Sequence, residues 1–183
     1  MQRARRRFAA EGAIAATLED IRRDADVSVG ALYHHFPDKS ALAAAVYAQL
    51  MSEYQGSFVA MLRRQDTAED GIRGGVAHHL RWVAANRGEA VLLLGDRLDS
   101  AELRDCNRAF FIAVRDWWRP HHTYGALRPM QAGVTAALWI GPAQEFSRYW
   151  IAGDELRMPR GVIKGIADAA WIVLRANAIE EDG

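Results

Sequence analysis

The side chains with most to offer a ligand crowd between Thr17 and Lys39, in the run T-L-E-D-I-R-R-D-A-D-V-S-V-G-A-L-Y-H-H-F-P-D-K. Thr17, Ser28 and Tyr33 bring hydroxyls, His34 an imidazole and Lys39 an ammonium, all able to donate to an anionic oxygen. Thr17 and Lys39 stand where helices are expected to begin, and helix N-termini favour phosphate through their open N–H groups and dipole. Arg3, Arg5, Arg6 and Arg7 add positive charge just upstream. The whole chain is balanced, with 23 Lys and Arg against 23 Asp and Glu, so any grip on a polyanion has to be local.

Other chemistries find less support. The six histidines form three adjacent pairs, His34-His35, His78-His79 and His121-His122. Neighbours on a helix point about 100° apart and chelate poorly, whereas zinc-binding helices use i and i+4. No metal and no cofactor is called for. No G-x-S-x-G, P-loop, G-x-G-x-x-G or H-E-x-x-H occurs. Cys106 is the only cysteine, which excludes an intrachain disulfide and suits a reducing cytoplasm. It reads as a small packed residue rather than a nucleophile. Asp96, Asp99 and Glu102 read as a solvated loop face. No signal peptide or apolar run long enough to span a bilayer is visible, so the expectation is a cytoplasmic globular protein with no membrane partner.

The elements that would position the Thr17–Lys39 groups are short. Thr17 with Asp20 three residues later makes a capping-box-like start, and Leu18, Ile21 and Ala25 follow at helical spacing. Asp26 and Val27 form a tight joint. Ser28 caps a second short helix, Ser28 to His35, in which Leu32 and Phe36 face the first; Pro37 ends it and Asp38 caps a third. Two short helices around a tight turn make a helix-turn-helix, whose second helix leads into the DNA major groove with its N-terminal residues. Val29, Gly30, Ala31, Tyr33 and His34 are then the exposed, base- and phosphate-facing positions. Thr17 and Lys39 hold phosphates on either side.

The spaced set Phe8, Gly12, Thr17-Leu18, Ile21, Ala25, Val27-Ser28, Gly30, Leu32-Tyr33, His35-Phe36, Asp38-Lys39 and Leu42 resembles the N-terminal signature of the TetR (tetracycline-repressor-like) family. The resemblance covers about a fifth of the chain. It implies a three-helix DNA-binding unit, a larger helical ligand-binding body, and a homodimer on a palindromic double-stranded operator. Three departures stand out. Only seven residues precede Phe8, so the first helix is expected to be short. Asp26 replaces the usual glycine of the turn, a position aspartate tolerates better than most residues. Arg22 replaces the small residue usual after the helix-2 isoleucine and is expected to snorkel outward.

Beyond residue 40 helical periodicity continues and strand signals are almost absent. Ile72, Val76, Leu80 and Val83 share one face, as do Leu103, Phe110, Val114 and Trp117. Val162, Ile166, Ala169, Val173 and Asn177 form a third stripe, widened by Ile163, Ala170 and Leu174. Breaks are expected at Gly12, Pro37, Gly88, Pro120, Pro129, Gly153 and Pro159. The expectation is an all-α protein of roughly nine helices. A DNA-binding domain would occupy 1–45 and a ligand-binding and dimerisation domain 46–183, joined by a shared helix from Ser40 to about Met51.

Within the body, His79, Val83, Asn107, Phe110, Phe111, Val114, Trp117, Trp118, Gln144 and Tyr149 are candidates to line a pocket for a small, apolar or aromatic effector. Each is equally able to fill core. The segments Val134 to Ile151, kinked at Gly141-Pro142, and Val162 to Ala176 are poor in charge. Such helices are covered on more than one face, which suggests a two-fold interface between subunits. Trp139, Phe146, Trp150, Ile166 and Val173 are expected there and buried.

The resulting expectation is a sequence-specific DNA-binding transcriptional regulator, a repressor released by a small-molecule effector, with recognition helices about 34 Å apart in the dimer. The effector would act by favouring a wrongly spaced conformer. A regulator-like fold that no longer binds DNA well and works as a small-molecule-binding or interaction module, and a helical enzyme, are the alternatives.

Overall fold

The computed structural model describes residues 1–95, 100–153 and 155–176, without the side chains of 13 and 14. Asn177, Asp96 and Asp99, named above, lie outside the described residues. The described chain is all-helical, in ten helices: α1 (Gln2–Ala15), α2 (Leu18–Ala25), α3 (Val29–His35), α4 (Lys39–Leu62), α5 (Ala68–Ala85), α6 (Arg87–Leu94), α7 (Ala101–Thr123), α8 (Ala132–Trp139), α9 (Gly141–Ala152) and α10 (Val162–Leu174). The Gly141-Pro142 kink is a full break: Ile140 ends α8 and precedes α9, giving one helix more than expected. Gly88 and Pro120 do not interrupt their helices. Gly88 lies in the first turn of α6 because α1 passes so close there that a Cβ would stand 2.9 Å from the carbonyl oxygen of Ala9. Pro120 lies in the last turns of α7, which continues to Thr123; only one intrahelical bond is lost there.

The chain forms two compact units, one from Met1–Tyr54 with Asn86–Arg108 and one from Gln55–Ala85 with Ala109–Gly183; α4 and α7 contribute to both. In the first unit the core is Ala4, Phe8, Ala16, Ile21, Leu42 and Val46, flanked by Leu18, Phe36, Ala43 and Leu92. α1 supplies Ala4 and Phe8 and breaks at Gly12, whose φ of 81° is open to glycine alone.

In the second unit α5 is the central element. Its stripe of Ile72, Val76, Leu80 and Val83 is fully buried, and α8, α9 and α10 pack against it. Gly71 and Gly75 lie one turn apart on α5, and each seats an indole. A Cβ on Gly71 would fall 1.9 Å from the ring of Trp117, and one on Gly75 would fall 2.6 Å from that of Trp139. The two rings are stacked at 6.1 Å, and each N–H finds a backbone carbonyl, Gln65 for Trp117 and Ile72 for Trp139. On α10 the buried set is Ala167, Ala170 and Leu174; of the expected stripe, Val162 and Ile166 are half-buried and Ala169 and Val173 exposed, whereas Ala170 and Leu174, which widened it, are buried. An apolar helix offers several candidate faces, and here packing on α5 and α8 selects the neighbouring one.

Candidate nucleic-acid interface

Local sequence builds the α2–α3 pair. Thr17 has extended backbone and its Oγ1 accepts the N–H of Asp20 at 3.1 Å, while its hydroxyl donates to the Asp20 carboxylate at 2.6 Å. The reciprocal half of a capping box is thus spent on the hydroxyl. α2 ends at Asp26 with φ 52° and ψ 47°, the only non-glycine residue at positive φ among the described residues. Ser28 then caps α3, its Oγ accepting the N–H of Ala31 at 3.1 Å. Asp38 caps α4 by accepting from Ala41 at 2.8 Å.

Within α3 only Leu32 is buried, Phe36 at its end packs against the core, and Val29, Gly30, Ala31, Tyr33 and His34 are all exposed. Val29 and Tyr33 are 53% and 51% exposed, which for large apolar side chains on one short helix is a surface held out for something. The expected reading positions therefore lie together on the solvent side of α3. Thr17 and Ser28, expected as contacts, first serve as caps. Lys39 begins α4 and donates to the Ala16 carbonyl at 3.1 Å, tying the end of α1 to α4.

The charge of the unit is more compensated than the arginine-rich start suggests. Arg5 pairs with Glu53 and Glu89, Arg7 with Glu11 and Asp24, and Arg23 with Asp20. Arg3 and Arg6 are exposed. Arg22 does not simply snorkel: its Nε and Nη2 bond both Glu19 oxygens, at 2.9 and 2.6 Å, and its Nη1 donates to the Val27 carbonyl at 3.1 Å. The Glu19 carboxyl is held below its usual range first by that bond. Sequence reading passed over this role for Arg22; the visible signal was Glu19 three residues before it on the same helix.

The candidate effector residues divide. His79 and Val83 are buried, while Phe110, Val114, Trp117, Trp118 and Gln144 are half-buried. Phe58, which sequence reading did not single out, joins His78, Phe110 and Trp139 in edge-to-face contacts of 5.6–5.7 Å. Phe111 and Tyr149 turn outward, at 60% and 78% exposure, and so stand apart from any interior site. Asn107 belongs to the first unit, not the second. The adjacent histidines diverge: His78 meets Ser57 of α4 at 3.0 Å and His79 meets Ser147 of α9 at 3.3 Å. Ser147 gives its proton to the Ala143 carbonyl at 2.7 Å, so His79 Nε2 is the donor to Ser147. Burial, then His78 and Arg148, push the pKa of His79 down to about 4. Among the described residues no group of three metal-ligating side chains comes together.

Of the expected interface residues, Trp139 and Trp150 are only 3% exposed within the single chain and fill its core. Phe146 and Ile166 are half-buried and Val173 is exposed. The bare apolar surface is instead Val134 and Leu138 on α8 with Ile172 and Val173 on α10, two helices that pack on each other.

Comparison with known proteins agrees with this geometry. Residues 1–46 match the family of bacterial regulatory proteins, tetR family. No curated protein matches the chain in sequence. A TetR-family transcription regulator from Marinobacter aquaeolei VT8 is 14% identical with a TM-score of 0.77, covering 96% of this chain and 93% of the other. A regulatory protein of the tetR family from Rhodococcus RHA1 is 22% identical with a TM-score of 0.69, covering 97% and 95%. The regulator FadR from Bacillus subtilis, solved in complex with stearoyl-CoA, is 13% identical with a TM-score of 0.71, covering 94% and 96%. At these identities the solved structures establish the shared fold. No helix among the described residues is long and apolar enough to cross a membrane. The first 46 residues of the chain, its helix-turn-helix, thus match the family of bacterial regulatory proteins, tetR family, and the chain shares its fold with solved regulators of that family.

Proposed function

We propose that the protein is a cytoplasmic, sequence-specific repressor that binds a palindromic operator as a homodimer and is released by a small-molecule effector held in its second unit. The observation that carries this reading is the outward set Val29, Gly30, Ala31, Tyr33 and His34 on a capped helix whose inward anchor is Leu32. A helix so placed enters a major groove with its N-terminal residues against base edges. Tyr33 and His34 bond phosphates or a base edge, and Thr17 and Lys39 meet the flanking backbone. A second copy covers Val134, Leu138, Ile172 and Val173; α8 carries no charge at all, which favours an isologous apolar contact. The effector is apolar or aromatic in part, since the half-buried positions about Phe110, Val114, Trp117 and Trp118 offer ring faces and few polar groups. The stearoyl-CoA bound by the Bacillus subtilis regulator is one ligand of that character.

The test is binding of the full chain to duplexes selected from a randomised library, against a shuffled duplex of equal composition. Enrichment of a two-fold symmetric sequence is expected, with a loss of a few kcal/mol at most when Tyr33 and Lys39 are replaced. Absence of any enriched sequence overturns the reading and favours a small-molecule-binding module.

A further inference from the structure

We propose that Arg22 is a positioning residue for the recognition helix, clamping the α2–α3 turn that Asp26 has to make without glycine. The inference rests on α3 being the DNA-reading helix. Arg22 holds Val27 at both backbone polar groups: the Val27 N–H donates to the Arg22 carbonyl at 3.3 Å, and the Arg22 guanidinium donates to the Val27 carbonyl at 3.1 Å. The rest of the guanidinium is fixed by its bidentate pair with Glu19, so it reaches Val27 from one direction only. Val27 immediately precedes the Ser28 cap, so its peptide sets the angle at which α3 departs.

Two features make that angle need support. α3 has seven residues and buries only Leu32, and the next contact with the core is Phe36 at its far end, so packing leaves its N-terminal turn without an inward anchor. Asp26 stands at φ 52°, a left-handed conformation that L-residues other than asparagine and aspartate rarely adopt, so the turn is less settled than a glycine turn. A small side chain at position 22 has no means of reaching Val27. The arginine and the aspartate are therefore paired departures: one strains the turn and the other holds it.

The experiment compares Arg22→Ala, Arg22→Lys, Asp26→Gly and Arg22→Ala/Asp26→Gly, with Arg23→Ala as a surface control. Each is read for affinity to an enriched duplex and to its shuffled partner, for salt dependence, and for exchange in the DNA-free protein of the Ala31 and Leu32 amides, both bonded to Ser28. Arg22→Ala and Arg22→Lys are expected to lose about tenfold on the enriched duplex and little on the shuffled one. The salt slope stays unchanged, the two amides exchange faster, and Asp26→Gly shrinks both losses. If Arg22→Lys binds like the wild type while Arg22→Ala flattens the salt slope by about one, Arg22 touches phosphate directly and the inference fails. It fails equally if neither the ratio of the two affinities nor the exchange rates move. Should Arg22→Ala not fold, Arg22→Lys alone decides. Should the wild type enrich no duplex, the repressor reading falls, and the exchange rates still decide whether Arg22 clamps the turn.

Discussion

At the scale of single residues, the caps and the glycine seats make the sharpest demands. Ser28 accepts the Ala31 N–H at the start of a helix with one buried side chain. Ser28→Ala is expected to cost about 1 kcal/mol in urea unfolding. Gly71 and Gly30 form a contrasting pair. A methyl on Gly71 meets Trp117 at 1.9 Å, whereas one on Gly30 meets nothing within 4 Å. Gly71→Ala is therefore expected to destabilise by roughly 1–3 kcal/mol through overpacking. Gly30→Ala is expected to stabilise by about 0.5–1 kcal/mol, because alanine is the better helix former, yet to alter the bases selected. Thermal unfolding and duplex selection on the same two variants separate the effects. Residues such as Ser28 were legible in sequence because a cap is a local event, settled within four positions. Arg22 was legible only as an oddity, since its partner carbonyl at Val27 becomes reachable only once the turn at Asp26 is made.

At the scale of elements, α5 joins α4 and α9 through two neighbouring histidines, and this has a consequence for acid stability. The ordinary pKa of 6.5 applies to His79 in the unfolded chain, and burial lowers it to about 4 in the fold. Above pH 6.5 both states are neutral and nothing changes. As pH falls from 6.5 towards 4 the unfolded chain takes up a proton that the folded one refuses, so stability declines. The loss approaches about 3 kcal/mol near pH 4. Urea midpoints measured from pH 7 to pH 4 are expected to fall less steeply for His79→Gln, whose amide still reaches Ser147; parallel curves would remove His79 as the cause. Helix existence and most breaks were readable here from periodicity, Gly153, Pro129 and Pro159 among them. Which face turned inward was not. On α10 the stripe through Val173 and the one through Leu174 are both apolar, and only the neighbouring helices choose between them. Trp139 and Trp150 looked like interface residues for the same reason.

At the scale of the whole molecule, charge is spent mostly at home. Of the seven Lys and Arg among residues 1–46, Arg5, Arg7, Arg22 and Arg23 pair with carboxylates. Two copies of the other three neutralise at most about six phosphates, so the log–log salt slope of DNA binding is expected to be no steeper than roughly −5. A much steeper slope in a filter or fluorescence titration would mean that those ion pairs open on the duplex. The bare Val134, Leu138, Ile172 and Val173 belong to the same scale: Ile172→Glu is expected to yield monomers by sedimentation and to weaken operator binding, with folding intact. All six tryptophans, including the two seated on the glycines of α5, lie in the second unit, at 82, 117, 118, 139, 150 and 171. The protein thereby carries its own optical label on one half only. The helix-turn-helix holds no indole, so a change of tryptophan emission on adding a candidate effector is expected to report on the second unit alone.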